Sequence, residues 1–288
     1  DTLIHIGDVS CAYLNIYPQK VWRVSKDGKL CDHFRKLRYV FEMSELDFFS
    51  KMNGLVVRKE KSVSNSFLAK NEYGHIVNKI PDLPFSNLWV AQNTSQRLPD
   101  NCVLHLGILN SLRSWNFFEV SETIACYSNT GGFGIDGCIS SLVGAALVKT
   151  EKLYFGIVGD LAFFYDMNIL GNRHYPPNIR LMIINNGRGQ EFKNYGHRAA
   201  QFGEKADDYI AAAGHFGNQS KLLIKNFAEN LGFIYYSANS KKSFLSCIDK
   251  FTSNDRFDKP IIFEVFTSTV GESEAVKIID NLENNNSP

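Results

Sequence analysis

Asp160 and Asn186 are the residues whose types and spacing point most directly to chemistry. Each stands just after an apolar run that reads as a buried strand, and the stretch between them is long enough for one helix, a loop and one strand. In an open α/β sheet this puts a carboxylate and a carboxamide at the carboxyl ends of two neighbouring parallel strands, the edge where such sheets bind ligands. Both offer hard oxygen donors of the kind Mg²⁺ takes when it also holds phosphate oxygens. The pattern predicts one Mg²⁺ bound by Asp160, Asn186 and the backbone carbonyl of Arg188, with the remaining positions left for a diphosphate. A helix expected from about Ala162 would turn backbone N–H groups toward that anion. The plainer alternative makes Asp160 a helix cap and Asn185-Asn186 a turn. That reading suffices for Asp160 alone but not for the pair at this spacing.

A site of this kind needs a rigid frame, and the composition permits one. The chain has 288 residues, 44% hydrophobic and 21% charged, so a sizeable core can form. A net charge of +1 gives no electrostatic case for nucleic acid or for an anionic membrane surface. The 22 Phe and 12 Tyr are dispersed, which suits a core better than a stacking platform. The six cysteines form no Cys-x-x-Cys pair, so neither disulfides nor zinc are expected and a reducing, cytoplasmic compartment is. The longest nearly apolar run, 138–148, is too short to span a bilayer. The sequence runs from Asp1 directly into a strand-like segment, so its first residues are expected to lie inside a fold, with no signal peptide.

Periodicity sets out the elements. Strands are expected at 3–6, 20–24 and 38–42, an amphipathic stretch up to Tyr17, and a helix at 44–52 with Ser44 as its cap. Three strands are fewer than a freestanding doubly wound domain carries, so 1–58 reads as part of a middle α/β domain. The polar, proline-bearing 59–101 reads as a connector with a short helix at 87–96. From residue 102 the alternation is regular. Strands at 103–106, 123–127, 153–158, 181–184, 233–237 and 261–266 are interleaved with helices at 111–118, 136–148, 163–170, 220–231 and 272–282, with Ser220 and Gly232 bounding one of them. The fold class is therefore α/β, with a mostly parallel doubly wound sheet over 102–288.

Gly132-Phe-Gly-Ile-Asp-Gly137 is a literal Gly-x-Gly-x-x-Gly between a strand and a helix. A dinucleotide site of that type needs an acidic residue about 20 residues further on, at the end of the next strand. Glu151 and Asp160 fit that role poorly, and glycines that allow a tight turn and close helix packing account for the motif.

Three segments together carry a family resemblance: Asn129-Thr-Gly-Gly-Phe-Gly-Ile-Asp-Gly137, Gly159-Asp-Leu-Ala-Phe-Phe-Tyr-Asp-Met-Asn168 and Asn185-Asn-Gly-Arg-Gly-Gln-Glu-Phe192. In order and spacing they resemble thiamine diphosphate-dependent enzymes, and most closely the menaquinone-pathway (MenD-type) SEPHCHC synthases, which join decarboxylated 2-oxoglutarate to isochorismate. Leu104-His-Leu-Gly107 with Arg113 after it, and Ile4-His-Ile-Gly7 followed by Trp22-Arg-Val-Ser and Phe41-Glu-Met, are similar to other parts of that family. The likeness covers essentially the whole chain and implies a thiamine diphosphate-binding fold preceded by part of a Rossmann-like middle domain.

The resemblance implies thiamine diphosphate and Mg²⁺ as cofactors, held by Gly134, Ile135, Gly159, Asp160, Leu161, Ala162, Asn186, Arg188 and Gly189. Asp160, Asn186 and the Arg188 carbonyl would be the metal ligands, and Ile135 the wedge that bends the cofactor into its V shape. Arg113 and Thr130 would face substrate. An activating glutamate is expected in a pyrimidine-binding domain, of the same or a second chain, so no catalytic residue is assigned among these 288. A 2-oxo acid, its acceptor and a homo-oligomer complete the implied partners. This sequence departs from the family at the substrate side: Thr130 stands for an arginine, Ile108-Leu109 for Asn-Ser, Ala162 for a serine, and Gly187-Arg188 for Asn-Gly. Among the histidines, His105, His174 and His197 read as structural or surface residues, and His215 is the one to test.

Overall fold

The computed structural model describes residues 1–7, 17–55, 74, 77–130, 134–193, 198–210 and 219–282. The amphipathic stretch below Tyr17, part of the glycine motif (131–133), His197 and His215 lie outside the described residues. The chain divides into two compact units, Asp1–Lys70 and Asn71–Pro288.

In the first unit β1 (Thr2–Ile6), β2 (Lys20–Ser25) and β3 (Leu37–Glu42) form a parallel sheet in that order. Helix α1 (Glu45–Leu55) follows, and the Ser44 hydroxyl accepts the Asp47 N–H at 3.1 Å, the cap its position suggested. Phe48 is the buried face of α1, its ring 4.9 Å from that of Phe41 on β3. Arg23 on β2 is fully buried and donates to the carbonyls of Lys29 and Gly7.

The second unit carries a six-stranded, wholly parallel sheet of order β5-β4-β6-β7-β9-β8. Its strands are β4 (Val103–Leu106), β5 (Ala125–Ser128), β6 (Tyr154–Gly159), β7 (Ile179–Asn185), β8 (Ile234–Ala238) and β9 (Ile261–Phe266). β7 is buried along its whole length, as a central strand covered on both faces requires. One face packs Leu104, Phe155, Met182, Ile184 and Phe263 beneath α2 (Asn87–Thr94), α8 (Lys241–Thr252) and α9 (Thr269–Asp280). The other packs Val103, Val158, Leu181, Ile183 and Ile262 beneath α4 (Cys138–Val148), α5 (Asp160–Asp166) and α7 (Leu223–Asn230). Helices on both faces make the sheet doubly wound, as expected. At Gly156 on β6 a Cβ would lie 2.5 Å from Leu142 Cδ2 of α4, so any larger residue there would require that leucine to shift.

Three differences from the sequence reading have physical causes. The stretch expected as a connector contains Ile80, Leu83, Leu88, Trp89, Val90 and Ala91, all buried in the core of the second unit. Its prolines and polar residues masked an apolar face that only the sheet completes. Helix α8 is not among the elements expected from the sequence. Its apolar residues Phe244, Ile248 and Phe251 follow helical spacing, and Ser240 with Ser243 forms a capping box, but its lysines and serines obscured that pattern. The helix expected at 163–170 starts earlier, at Asp160, and gives way to a 3-10 turn over Met167–Gly171. The helix expected at 220–231 starts later, at Leu223, with Leu222 rather than Ser220 at its N-cap position; the Ser220 hydroxyl accepts the Leu223 N–H at 3.2 Å in the turn before it, and Gly232 follows its end at φ 84°.

Candidate cofactor and metal site

The sheet's strand order reverses around β4, whose neighbours are β5 on one side and β6 on the other. Ligands of open α/β sheets bind at the carboxyl ends beside such a reversal. There the structure holds a cavity of about 360 Å³ lined by residues that follow β4, β6 and β7 and by the loop before α4.

Asp160 is the first residue of α5 and is 2% exposed; Asn186 follows β7 and is 7% exposed. Both line the cavity. Gly187, at φ 83°, turns the chain so that its N–H reaches Asp160 Oδ2 at 2.6 Å, and Leu161 N–H donates to Oδ1 at 2.7 Å. Asn186 Oδ1 accepts the Arg188 N–H at 3.2 Å. Burial pushes the Asp160 carboxyl up to about 7, against the backbone N–H bonds from Gly187, Leu161 and Asn186 that favour its charged form. A carboxylate has about four lone-pair directions, so these bonds leave room for a cation.

All nine of the expected cofactor residues meet at this cavity. Gly134, Ile135, Gly159, Leu161, Ala162, Arg188 and Gly189 line it with Asp160 and Asn186. Asn129 Nδ2 donates to the carbonyl of Gly134, the residue before Ile135, at 2.7 Å. The Arg188 guanidinium pairs with Asp207, whose carboxylate also meets Lys193.

The two substrate-side candidates lie elsewhere. Arg113 is absent from the lining; it pairs with Glu191, which does line the cavity. Thr130 is exposed and outside the lining. Ile108 and Leu109, which stand where the family has two polar residues, contribute apolar wall. Leu109 does so at φ 71°, ψ −118°, a backbone region a leucine adopts only where its surroundings impose it.

The charged side chains of the lining are Asp136, Asp160, Glu191 and Arg188. Glu191 is paired with Arg113, and the one guanidinium of the lining, Arg188, with Asp207, so a diphosphate held here would gain from a divalent cation that arrives with it. Among the described residues no three His, Cys, Asp or Glu side chains form a metal cluster. The oxygens expected to hold Mg²⁺ are one carboxylate, one carboxamide and one main-chain carbonyl, a set of the hard type that cation prefers.

Two residues missed in sequence support this edge from behind. Glu264 on β9 is fully buried and accepts from Asn185 Nδ2 and from the Tyr235 hydroxyl, both at 2.6 Å. Glu272, in the first turn of α9, accepts the Thr267 hydroxyl at 2.7 Å and the Asn87 N–H at 3.0 Å. Burial raises each to about 7 from an ordinary 4.5. Between those values the folded chain holds more protons than the unfolded one, so stability falls as pH rises from 4.5 to about 7 and levels off above. His105, lowered by burial, opposes this below 6.5 as a single group. Thermal unfolding is expected at a higher temperature near pH ~5.5 than near pH ~8, with Glu264→Gln and Glu272→Gln each narrowing the gap. A flat profile for the unmodified chain would contradict the assignment.

No family model matches the chain. Curated relatives do. A 2-succinyl-5-enolpyruvyl-6-hydroxy-3-cyclohexene-1-carboxylate synthase of Bacteroides fragilis is 29% identical over 269 residues, covering 92% of this chain and 46% of that protein. The synthase of the same name from Phocaeicola vulgatus is 32% identical over 250 residues, 87% of this chain and 42% of the relative. That of Christiangramia forsetii is 34% identical over 187 residues, 65% and 30% respectively. This chain is a homologue of the SEPHCHC synthases. It spans less than half the length of each of these relatives. The SEPHCHC synthase likeness agrees with the α/β fold and its parallel sheet, and a doubly wound sheet is what places Asp160 and Asn186 beside one cavity.

Proposed function

We propose that this chain supplies the diphosphate- and metal-binding half of a thiamine diphosphate-dependent carboligase of the SEPHCHC synthase type. The observation that carries the reading is the meeting of Asp160, Asn186, Ile135 and Gly189 at one cavity, in a homologue of that synthase. Asp160 and Asn186, with the Arg188 carbonyl, would hold Mg²⁺ and through it the diphosphate. Ile135 would press on the cofactor from its apolar side. Bound there, thiamine diphosphate supplies the carbanion chemistry that lets a 2-oxo acid lose CO₂ and attack an acceptor. The protein's share is to place the cofactor, neutralise its phosphates and keep water from the reacting carbon. The apolar wall of Ile108, Leu109, Leu161 and Phe192 does the last. The activating glutamate is assigned to a pyrimidine-binding domain of the same or a second chain, in a homo-oligomer.

A related enzyme with other substrates is the second reading, favoured by one observation. The family's carboxylate-binding arginine is Thr130 here, exposed and away from the cavity wall. A catalytically silent assembly module is the third. Calorimetric titration with thiamine diphosphate in the presence of Mg²⁺ separates it from the others: metal-dependent binding is expected, and its absence would reject both enzyme readings. Turnover of 2-oxoglutarate and isochorismate, with the pyrimidine-binding domain supplied, distinguishes the first reading from the second.

A further inference from the structure

Asn87 is the first residue of α2 and stands far upstream of every motif that marks the site. It nevertheless lines the same cavity as Asp160, Asn186 and Gln190 while being only 1% exposed. Its backbone is held firmly. The N–H donates to both oxygens of Glu272 at 3.0 and 3.2 Å, and the Ser86 hydroxyl caps the same turn through Trp89 N–H at 3.2 Å. Its side chain, by contrast, is unsatisfied: Oδ1 is sealed from solvent and no described group donates to it. A buried amide oxygen without a donor costs about 1–3 kcal/mol, and a leucine would fill the same space without that cost.

A polar group retained at such a cost against a cavity wall is a candidate for use by whatever fills the cavity. The ligand expected at this site is anionic, and the end of a carboxamide that can serve an anion is the NH₂, which only donates. We infer that Asn87 is a ligand-binding residue of this site, whose amide NH₂ donates a hydrogen bond to an anionic oxygen of the bound molecule. The inference rests on the diphosphate-site reading above. Two sources could present that oxygen: the diphosphate, or a carboxylate of the 2-oxo acid.

The test measures affinity and stability together in the unmodified chain and in Asn87→Leu. Affinity is read by calorimetry with two probes, Mg²⁺–pyrophosphate and 2-oxoglutarate; stability is read as the melting temperature without ligand. Loss of a hydrogen bond to a charged oxygen predicts about tenfold or more weaker binding of one probe. Removal of the unsatisfied oxygen predicts an unliganded melting temperature equal to or above that of the parent. A weaker pyrophosphate response assigns the bond to the diphosphate, and a weaker 2-oxoglutarate response assigns it to the substrate. If the parent binds and the variant binds both probes equally well, the inference is wrong while the site reading stands. If the parent binds neither probe, both fail. Asn87→Asp guards against a variant that does not fold: it keeps the shape and replaces NH₂ by an acceptor. It should weaken the same probe at least as strongly, and unchanged affinity there would also overturn the inference.

Discussion

Asp160→Asn is expected to weaken Mg²⁺–thiamine diphosphate binding by on the order of 100-fold or more, in a chain that remains folded. Residues that merely orient a metal ligand are worth about 10–100-fold in metal affinity, so a direct carboxylate ligand belongs at or beyond the upper end. The reason is local. Asp160 is the most buried carboxylate of the cavity wall, and burial, with a smaller push from the Glu272 carboxylate, raises its carboxyl to about 7. A divalent cation would relieve that cost by opposing the charge directly; an asparagine offers one neutral oxygen and an NH₂ that cannot coordinate. The fold should tolerate the change. The amide oxygen keeps part of the N–H set from Leu161, Gly187 and Asn186, and the buried charge disappears. Calorimetric titration against the parent, with circular dichroism as the control for folding, decides the matter. Equal affinity in the two proteins would remove Asp160 from the metal site, and Asp160→Glu should recover little because its longer side chain meets the same turn of Gly187.

How far the site was legible in sequence depends on how local its parts are. Asp160 and Asn186 stand immediately after two adjacent strands, β6 and β7, joined by one crossover, so spacing alone placed them together. Gly134 and Ile135 enter from the next loop, and the motif there was readable in order if not in geometry. Asn87 and Glu272 were invisible. Each comes from a helix remote in the chain, and only packing of α2 and α9 on one face of the sheet brings them to one hydrogen bond. The same limit explains the connector. Leu83, Leu88 and Val90 look like scattered apolar residues until the core that buries them exists. Arg113 shows the converse. Its position in the motif suggested a substrate contact, and the ion pair with Glu191, a residue of the third motif, depends on the loop after β7.

Arg180→Met is expected to cost about 3 kcal/mol of unfolding free energy, roughly 6–12 °C in melting temperature for a unit of this size. Arg180 is the second residue of the fully buried strand β7 and is 1% exposed, and burial lowers the hold of its guanidinium on the proton. Its guanidinium donates to three main-chain carbonyls, those of Phe251, Ser253 and Asp255. These carbonyls belong to the last turn of α8 and the loop after it, where a helix has no N–H of its own to offer. The cation suits the negative end of the helix dipole. Its Cζ also lies 5.5 and 5.4 Å from the rings of Phe155 and Phe257, so the charge is sheathed by aromatic faces. Methionine would fill the volume and leave the three carbonyls unserved. Only the part-buried ones among them would regain water, which keeps the cost nearer three than one. Lysine would retain the charge but lacks the fork that reaches three acceptors, so Arg180→Lys should fall between. Because Arg180 sits at the opposite end of β7 from Asn186, roughly 20 Å away along the strand, the folded variant should bind Mg²⁺–pyrophosphate as the parent does. Chemical denaturation and that titration, done on the same protein, separate the two ends of β7. A stability loss below about 1 kcal/mol would mean that α8 ends securely without this residue.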